Sequence, residues 1–202
     1  MNVQIMDIGM SKTRDKLIAI ARNLFAKTGV ENTTMNDIAV ASNKGRRTLY
    51  TYFSSKSDIY NAVVESELNI LYRSLEAVVH RDIPADSKLL EFINVRLEEI
   101  RNVVLRNGTL KADFFRDIYR VENVRRKLDL KEICYIKQIL EEGVETDIFD
   151  IIDTDSMAHL LHHAFKGLEV PYIRGIIKGF DRNDSGARNS IINFLFNGIK
   201  KR

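Results

Sequence analysis

The chain has 202 residues, of which 31 are Lys or Arg and 28 are Asp or Glu, and its net charge is +3. This length allows one large domain or two small ones, with a sizeable core in either case. The single cysteine, Cys134, excludes an intrachain disulfide and disfavours a cysteine-based metal cluster. No apolar run is long enough to span a bilayer, and residues 1–10 lack the layout of a secretory signal. We therefore expect a cytoplasmic protein without a cofactor.

The positive charge is concentrated near the N-terminus. Residues 1–56 contain nine Lys or Arg against four Asp or Glu, whereas the remainder contains 22 against 24. A basic N-terminal part on a slightly acidic body is typical of a protein that meets phosphate at one end. An ordinary solvated surface with uneven charge is the alternative.

An amphipathic first helix is predicted before Gly29. Ser11 or Thr13 can cap its start, and Gly29 supplies a left-handed stop. Its apolar stripe consists of Leu17, Ile18, Ala21, Leu24 and Phe25.

A second helix is predicted to start at a capping box, in which Thr34 precedes Asp37 by three residues. The turn at residues 42–45 follows it, where Asn43 tolerates a positive φ and Gly45 can adopt one without cost. The residues expected to face inward are Ile38, Ala39 and Ala41.

The third predicted helix carries paired arginines and is anchored by Leu49 and Phe53, four residues apart. Arg46 and Arg47 offer forked donors that suit guanine edges or phosphates. Thr48 can touch a thymine methyl group or a phosphate, and nearby tyrosine hydroxyls can donate to backbone oxygens. Two short helices with a tight turn between them have the layout of a helix-turn-helix, whose second helix enters the major groove.

The start of a fourth helix is indicated by Ser55 and Asp58, which are spaced as a capping box. Lys56 lies in the first turn, where a positive charge opposes the helix dipole. A phosphate bound at this helix terminus would explain the lysine.

This N-terminal pattern resembles the DNA-binding domain of the tetracycline-repressor (TetR) family. The resemblance runs from Thr13 to Ile59 and includes Thr33-Thr34, Asp37-Ile38-Ala39 and the specific run Leu-Tyr-x-Tyr-Phe-x-Ser-Lys at residues 49–56. It implies that Thr34 and Asn36 lie near the DNA backbone. It also implies that bases are probed by Arg46, Arg47 and Thr48, and that phosphates are held by Tyr50, Tyr52 and Lys56.

The chain departs from the family pattern in the turn and in the third helix. Asn43, Lys44 and Gly45 stand where the family usually has glycine, valine and serine, and Arg47 stands where it usually has glycine. Losing the serine cap weakens the third helix by ~1 kcal/mol at most.

After Ser57 the pattern is helical almost throughout, and Pro171 should kink or break the helix that contains it. The predicted fold is therefore all-α. It has a three-helix DNA-binding domain at residues 1–56 and a helical domain at 57–202, which the resemblance implies binds an effector and dimerises. The helices predicted here run from Ile59 to near His80, Leu89 to Leu105, Phe114 to Tyr119, Val124 to Leu140, Ser156 to Gly179 and Ala187 to Ile199.

A ligand pocket is predicted in this second domain, although ordinary core aromatics and solvated charges are an equal alternative. Its candidate apolar walls are Phe114, Phe115, Tyr119, Tyr135 and Phe165. Its candidate polar groups are Arg101, Asp113 and His163.

Two late apolar stripes either close an intrachain core or form a four-helix bundle between two subunits. A two-fold dimer would place its recognition helices on successive major grooves, about 34–36 Å apart. The candidate interface residues are Leu161, Leu168, Tyr172, Ile191, Phe194, Leu195 and Ile199.

Three histidines at positions 159, 162 and 163 have a spacing at which two imidazoles could share a metal. We expect these histidines to be polar positions on an inner helix and to bind no metal.

The sequence therefore predicts a transcriptional regulator, in the form of a homodimeric repressor that a small apolar or amphipathic ligand releases from a palindromic operator. A constitutive regulator without an effector is one alternative, and a helical scaffold or adaptor protein is another. An enzyme is not expected, because the chain has no Gly-rich phosphate loop and no nucleophile elbow. The adjacent carboxylates Glu98-Glu99 and Glu141-Glu142 also point to different helix sides.

Overall fold

A computed structural model of the chain describes residues 2–106 and 118–174, together with the single residues 186, 190 and 197. Within these ranges the side chains of residues 2–11, 118–125, 127 and 128 are not described. All the regular elements in the two ranges are helices, which confirms the all-α prediction. They are α1 (Asn2–Thr28), α2 (Met35–Ala41), α3 (Arg46–Tyr52), α4 (Lys56–Val79), α5 (Ala85–Arg106), α6 (Ile118–Glu145) and α7 (Thr154–Ile173).

The chain divides into two compact units. Unit 1 consists of Met1–Leu68 and Val103–Arg125, and unit 2 consists of Asn69–Asn102 and Arg126–Arg202. Helices α4, α5 and α6 thus each contribute residues to both units. The functional boundary at residue 56 lies inside unit 1 and stays a prediction. We call α1, α2 and α3 with their connecting turns the head.

The core of unit 1 is built around the apolar stripe of α1. Four of its five predicted members are buried, and Leu24 is half-buried. Phe25 meets Tyr60 of α4 edge to face, with ring centroids 6.2 Å apart. Fully burying an aliphatic or aromatic side chain of this size is worth about 1.5–3 kcal/mol, so this stripe is a main source of stability for the head.

The ends of α1 differ in how well they were predicted. Gly29 has a φ of +86° and donates its N–H to the carbonyl of Phe25 at 3.0 Å, which confirms the predicted stop. The predicted caps Ser11 and Thr13 are wrong, because α1 already begins at Asn2. No proline precedes them, and hydroxyl residues are tolerated inside a helix when no other signal ends it.

Unit 2 packs the later turns of α4 with α5, α6 and α7. The predicted end of α4 near residue 80 is confirmed, while α5 begins four residues before the predicted start. The predicted break between Tyr119 and Val124 is wrong, since α6 runs through it and residues 120–123 contain neither Gly nor Pro. The fully buried apolar side chains of unit 2 include Leu75, Leu89, Phe92, Ile93, Leu97, Ile136, Ile139, Leu140 and Phe165.

Pro171 does not break α7 at its own position, as the helix continues to Ile173. The helix ends soon afterwards, where Arg174 donates its N–H to the carbonyl of Val170 at 3.0 Å. The predicted helix at residues 187–199 lies outside the described ranges, as do Phe114 and the residues after 174 in the helix predicted to end at Gly179.

The chain turns sharply after α6, where Phe149 lies against Gly143. A Cβ atom added to Gly143 would lie 2.0 Å from Cδ2 of Phe149, so only glycine lets the ring approach this closely. The N–H of Phe149 donates to the carbonyl of Gly143 at 3.0 Å, and Asp147 between them adopts a φ of 61°. Among the helices of the described ranges, none combines the length and apolar character needed to cross a membrane.

Candidate nucleic-acid interface

The start of α2 is fixed by the predicted capping box. The hydroxyl of Thr34 accepts from the N–H of Asp37 at 3.2 Å and donates to its carboxylate at 2.7 Å, while the N–H of Thr34 donates to that carboxylate at 2.8 Å. The hydroxyl and N–H of Thr34 hold the pKa of the Asp37 carboxyl below its ordinary value. Both hydrogen-bond donors of Thr34 are therefore used by Asp37. The side chain of Asn36, in contrast, is exposed.

The inward face of α2 was predicted in part. Ile38 and Ala39 are buried, but the prediction for Ala41 is wrong, since this residue is exposed. Ser42, four residues after Ile38, takes the next inward position and donates its hydroxyl to the carbonyl of Ala39 at 2.9 Å. Val40 is 72% exposed, so α2 presents an apolar side chain at the surface of the head.

The turn between α2 and α3 depends on one left-handed residue. Asn43 has a φ of 52°, as predicted, and Lys44 donates its N–H back to the carbonyl of Ala39 at 3.1 Å. Gly45 does not adopt a positive φ, since its φ is −65°, and it acts as the N-cap of α3 without a side-chain hydrogen bond. The loss of a serine cap, noted in the sequence, thus leaves the first turn of α3 without that bond.

Helix α3 is held by its two predicted anchors, Leu49 and Phe53, which are 0% and 3% exposed. With these side chains in the core, Arg46 and Arg47 are exposed to solvent at the start of the helix. Tyr50 is 46% exposed, while Thr48 and Tyr52 are half-buried at the edges of the same face. The structure therefore presents on one short helix the arginines and hydroxyls that the sequence singled out.

An exposed cation on α1 lies next to the end of α3. The guanidinium carbon of Arg14 is 5.4 Å from the ring centroid of Phe53, at a distance typical of a cation–π contact. Sequence reasoning missed this residue, because 39 positions separate the two partners and no local pattern relates them.

Lys56 has a structural partner that the sequence did not reveal. Its ammonium group donates to the carbonyl of Val30 at 2.7 Å and to that of Glu31 at 3.3 Å. These carbonyls explain a lysine at the start of α4 without a bound phosphate, and one of the three ammonium donors is left for another partner. The turn around Lys56 is thereby tied to the loop that follows α1.

The start of α4 is capped as predicted. The N–H of Asp58 donates to the hydroxyl of Ser55 at 3.1 Å, and the carboxylate of Asp58 accepts from the N–H of Ser54 at 3.1 Å and from its hydroxyl. The Ser54 hydroxyl is the main cause that lowers the pKa of the Asp58 carboxyl. The reciprocal bond thus goes to Ser54 rather than to Ser55, which fixes the exit of the chain from α3.

The predicted pocket residues are only partly brought together. Tyr135 and Phe165 are buried and Arg101 is half-buried in unit 2. His163 was expected to face inward and is exposed, so this prediction is wrong; its neighbour His162 is the buried one. Residues 113–115 and the side chain of Tyr119 lie outside the described part of the chain.

Unit 2 contains a buried ion cluster that no sequence pattern indicated. Arg96, which is 1% exposed, donates Nε to a carboxylate oxygen of Glu132, Nη2 to Glu169 at 2.6 Å and Nη1 to the carbonyl of Phe165 at 3.2 Å. His162 places Nδ1 3.4 Å from the same oxygen of Glu132. We refer to Arg96, Glu132, Glu169 and His162 as the buried ion cluster.

Burial and charge act in opposite directions on this cluster. Burial by itself would raise the pKa of the Glu132 carboxyl, but the Arg96 guanidinium and His162 outweigh it and hold that pKa below its ordinary value. Burial likewise works against the charge of Arg96, and the two carboxylates raise the pKa of its guanidinium in spite of it. Arg96 and Glu132 are therefore held in their charged forms by their partners.

The three histidines do not face one point. His162 lies in the core, with Nε2 3.8 Å from a carboxylate oxygen of Asp129, whereas His159 and His163 are exposed. In the described ranges no three His, Cys, Asp or Glu side chains are arranged to hold a metal ion.

The candidate interface residues on α7 fall into two groups. Tyr172 is buried within the chain and donates its hydroxyl to Glu98 at 2.9 Å, and its place in an interface stays a prediction. Leu161 and Leu168 are half-buried, and Leu160 beside them is 62% exposed. The four candidates after residue 190, namely Ile191, Phe194, Leu195 and Ile199, lie outside the described residues.

Comparison with known proteins places the head in one family. The family described as "Bacterial regulatory proteins, tetR family" matches residues 17–63. The HTH-type transcriptional regulator AcrR of Shigella flexneri is 27% identical over 177 residues, which cover 84% of this chain and 78% of AcrR. A probable acrEF/envCD operon repressor of Escherichia coli strain K12 is 26% identical, over 78% of this chain and 74% of that protein.

Solved structures show the same fold along most of the chain. A transcriptional regulator from Cytophaga hutchinsonii superposes with a TM-score of 0.71 at 23% identity, over 92% of this chain and 97% of that one. A complex of SmeT with triclosan gives a TM-score of 0.66 at 15% identity, over 94% of this chain and 92% of SmeT. At these identities the likeness establishes the fold.

Proposed function

Because the chain belongs to the tetR family and is a DNA-binding transcriptional regulator rather than an enzyme, we propose that it is a repressor whose α3 reads an operator. In this proposal a small apolar or amphipathic ligand releases the protein from DNA. The observation that carries it is the exposure of Arg46 and Arg47 on a helix whose other face is anchored in the core.

Base reading falls to the two arginines. Arginine binds the O6 and N7 atoms of guanine through two hydrogen bonds, each good pair being worth ~1–3 kcal/mol of discrimination. Thr48 on the same helix contacts a thymine methyl group or a phosphate. Because α3 is only seven residues long, these three positions account for most of the sequence that one head can read.

Phosphate contacts then fix the register of the head on the duplex. We assign them to Tyr50 and Tyr52 on α3, to Asn36 on α2 and to the remaining donor of Lys56. Thr34 contributes by ordering the start of α2, since its own donors are used within the capping box. Arg14, seated over Phe53, adds a cation to the same surface.

A two-fold dimer on a palindromic operator completes the proposal. One head covers a short half-site, so two heads on successive major grooves are needed for a selective regulator. We assign the surface for a second copy to the exposed and half-buried leucines at positions 160, 161 and 168 of α7. The apolar residues at 191, 194, 195 and 199 are assigned to it from the sequence alone.

The effector site is assigned to unit 2. It contains the aromatic candidates Tyr135 and Phe165 and the half-buried Arg101. The SmeT complex supports a small apolar ligand, because triclosan is bound in a protein of this fold. Coupling between an effector and DNA in regulators is typically worth ~1–3 kcal/mol. A regulator of this kind acts in the cytoplasm, where it meets operator DNA.

Selection of bound duplexes from a random pool tests the DNA part of this proposal. We expect the full chain to enrich an inverted repeat whose half-sites are one helical turn apart. Enrichment of a single unrepeated half-site would contradict the dimer, and recovery of a random pool at every salt concentration would contradict operator reading.

Light scattering of the free protein and of the protein with the selected duplex tests the assembly. We expect the mass of a dimer, and a monomer in both samples would contradict it. Titration of triclosan and related apolar compounds against the protein–duplex complex separates a ligand-released repressor from a constitutive one. A Kd that stays constant across such compounds favours the constitutive regulator.

A further inference from the structure

Glu67 of α4 joins two parts of unit 1 through a single buried carboxylate. Its side chain is 3% exposed, and each of its oxygens has its own arginine partner. Oε1 accepts from Nη1 of Arg22 on α1 at 3.1 Å. Oε2 accepts from Nη2 of Arg106 at 3.1 Å and from its Nε at 3.3 Å, so that both donors of the guanidinium edge meet one oxygen.

The two arginines come from elements with different roles. Arg22 belongs to the head, whereas Arg106 is the last residue of α5. Residues 85–102 of α5 are part of unit 2, and from Val103 onward the chain belongs to unit 1. Helix α5 is continuous across this boundary, and its last residue pairs with Glu67 inside unit 1, the unit that contains the head.

The first half of α4 is fastened to the head by further contacts. Lys56 bonds to the carbonyls of Val30 and Glu31, and Tyr60 packs edge to face on Phe25. With these contacts and the Arg22 bond, residues 56–67 of α4 are held to α1 and to the loop that follows it. A displacement of Glu67 should therefore also displace α1.

The arginines themselves are 33% and 37% exposed. Ion pairs of such partly exposed groups contribute little to the stability of a fold. What this arrangement does supply is geometry, because the fork of Arg106 and the shared carboxylate fix where the end of α5 lies against α4.

Resting on the proposed function, we infer that Glu67 is a positioning residue for operator binding, which transmits the position of the end of α5 to the head through Arg106 and Arg22. The ion pair holds the arrangement that binds the operator. Loss of the Arg106 partner lowers operator affinity although the ion pair of Arg106 is made with α4 and not with the DNA-reading helix α3.

A double-mutant cycle on Arg106 and Glu67 tests this inference. The full chain and its Arg106→Gln, Glu67→Gln and doubly substituted variants are compared by fluorescence anisotropy on the selected operator and on a random duplex of equal length. We expect Arg106→Gln to raise the operator Kd by about 5-fold or more, the lower end of ordinary coupling, with a much smaller change on the random duplex. In the Glu67→Gln background the same substitution should change the operator Kd by less than about 2-fold, because the two groups act as one pair.

Arg81→Gln is the matched control, since Arg81 forms an exposed ion pair with Glu91 within unit 2. It should leave the operator Kd unchanged. Thermal unfolding of each variant is recorded in parallel, and because both partners of Glu67 can be solvated, we expect every variant to fold.

Three results would overturn the inference while leaving the proposed function intact. They are an operator Kd unchanged or tightened by Arg106→Gln, an effect of equal size in the Glu67→Gln background, and an equal change on both duplexes. A wild-type chain that does not distinguish the operator from the random duplex would instead contradict the proposed function, and this inference with it.

Discussion

Removing the cation from the buried ion cluster should destabilise the protein in a strongly pH-dependent way. Arg96→Met keeps an unbranched apolar stem but removes the guanidinium, and so leaves Glu132 and Glu169, which are 1% and 6% exposed, without their main partner. Breaking a buried ion pair on one side costs about 3–5 kcal/mol. The free energy of unfolding at pH 7 should fall by that amount.

Protonation sets an independent limit on this cost. A carboxyl that has lost its partner can take up a proton. The solution pH of 7 is about 2.5 units above the ordinary glutamate pKa of 4.5. At 1.36 kcal/mol per unit, neutralising one carboxyl then costs about 3.4 kcal/mol at pH 7. Protonating the same carboxyl costs about 2.7 kcal/mol less at pH 5. The loss of unfolding free energy caused by Arg96→Met should therefore be smaller at pH 5 by roughly that amount.

In the wild type, the contribution of the cluster to the free energy of unfolding decreases in acid. The pKa of Glu132 in the folded protein is below its ordinary value. Its contribution to stability is therefore complete above pH 4.5 and is lost as the pH falls through the folded pKa. Acid should consequently weaken the wild type and narrow its difference from Arg96→Met.

Urea unfolding followed by circular dichroism at pH 7 and pH 5 measures these effects. The neutral triple variant Arg96→Met, Glu132→Gln, Glu169→Gln is the control, and it should recover at least half of the lost free energy because no carboxylate is left stranded. A penalty below about 1 kcal/mol at pH 7, a penalty independent of pH, or a triple variant no more stable than Arg96→Met would refute the reasoning.

Two further predictions concern the local geometry of unit 2 and of the head. Gly143→Ala should lower the free energy of unfolding by about 1–3 kcal/mol, because the new Cβ collides with the ring of Phe149. Gly167→Ala is the control, since Gly167 also lies inside a helix but has open space around it, and it should raise the free energy of unfolding by up to about 1 kcal/mol. Equal urea midpoints of the two variants would contradict the Gly143–Phe149 contact. Thr34→Ala should cost about 1 kcal/mol at pH 7 through the lost cap. Since the pKa of Asp37 is lowered in the folded protein, this cap is strongest above pH 3.8 and weakens in acid. A destabilisation by Thr34→Ala that becomes larger below pH 3 in thermal unfolding would contradict this role of the cap.

Sequence reasoning succeeded where a few neighbouring residues decide the structure. The capping box of α2, the stop at Gly29 and the left-handed turn at Asn43 each depend on contacts within about four residues. The anchors Leu49 and Phe53 follow from the helical period alone.

It failed where the deciding partner is distant in the chain. Arg96 and Glu169 are 73 positions apart, so their pairing depends on how α5 and α7 pack and no local pattern encodes it. Lys56 drew attention because it opposes the helix dipole, yet its partner Val30 lies 26 positions away. Histidine assignment failed for a related reason, since His162 and His163 differ by one position and only the packing of α7 decides which one is buried.

The central claim is that α3 reads bases through its arginines. Its most direct test is the affinity of Arg47→Ala for the selected operator and for a random duplex, with Arg73→Ala as the control, because Arg73 is an exposed arginine of α4 outside the head. We expect Arg47→Ala to weaken operator binding by ~1–3 kcal/mol and to change random-duplex binding far less, while Arg73→Ala alters neither. Equal losses on both duplexes, or equal effects of the two substitutions, would contradict base reading by α3.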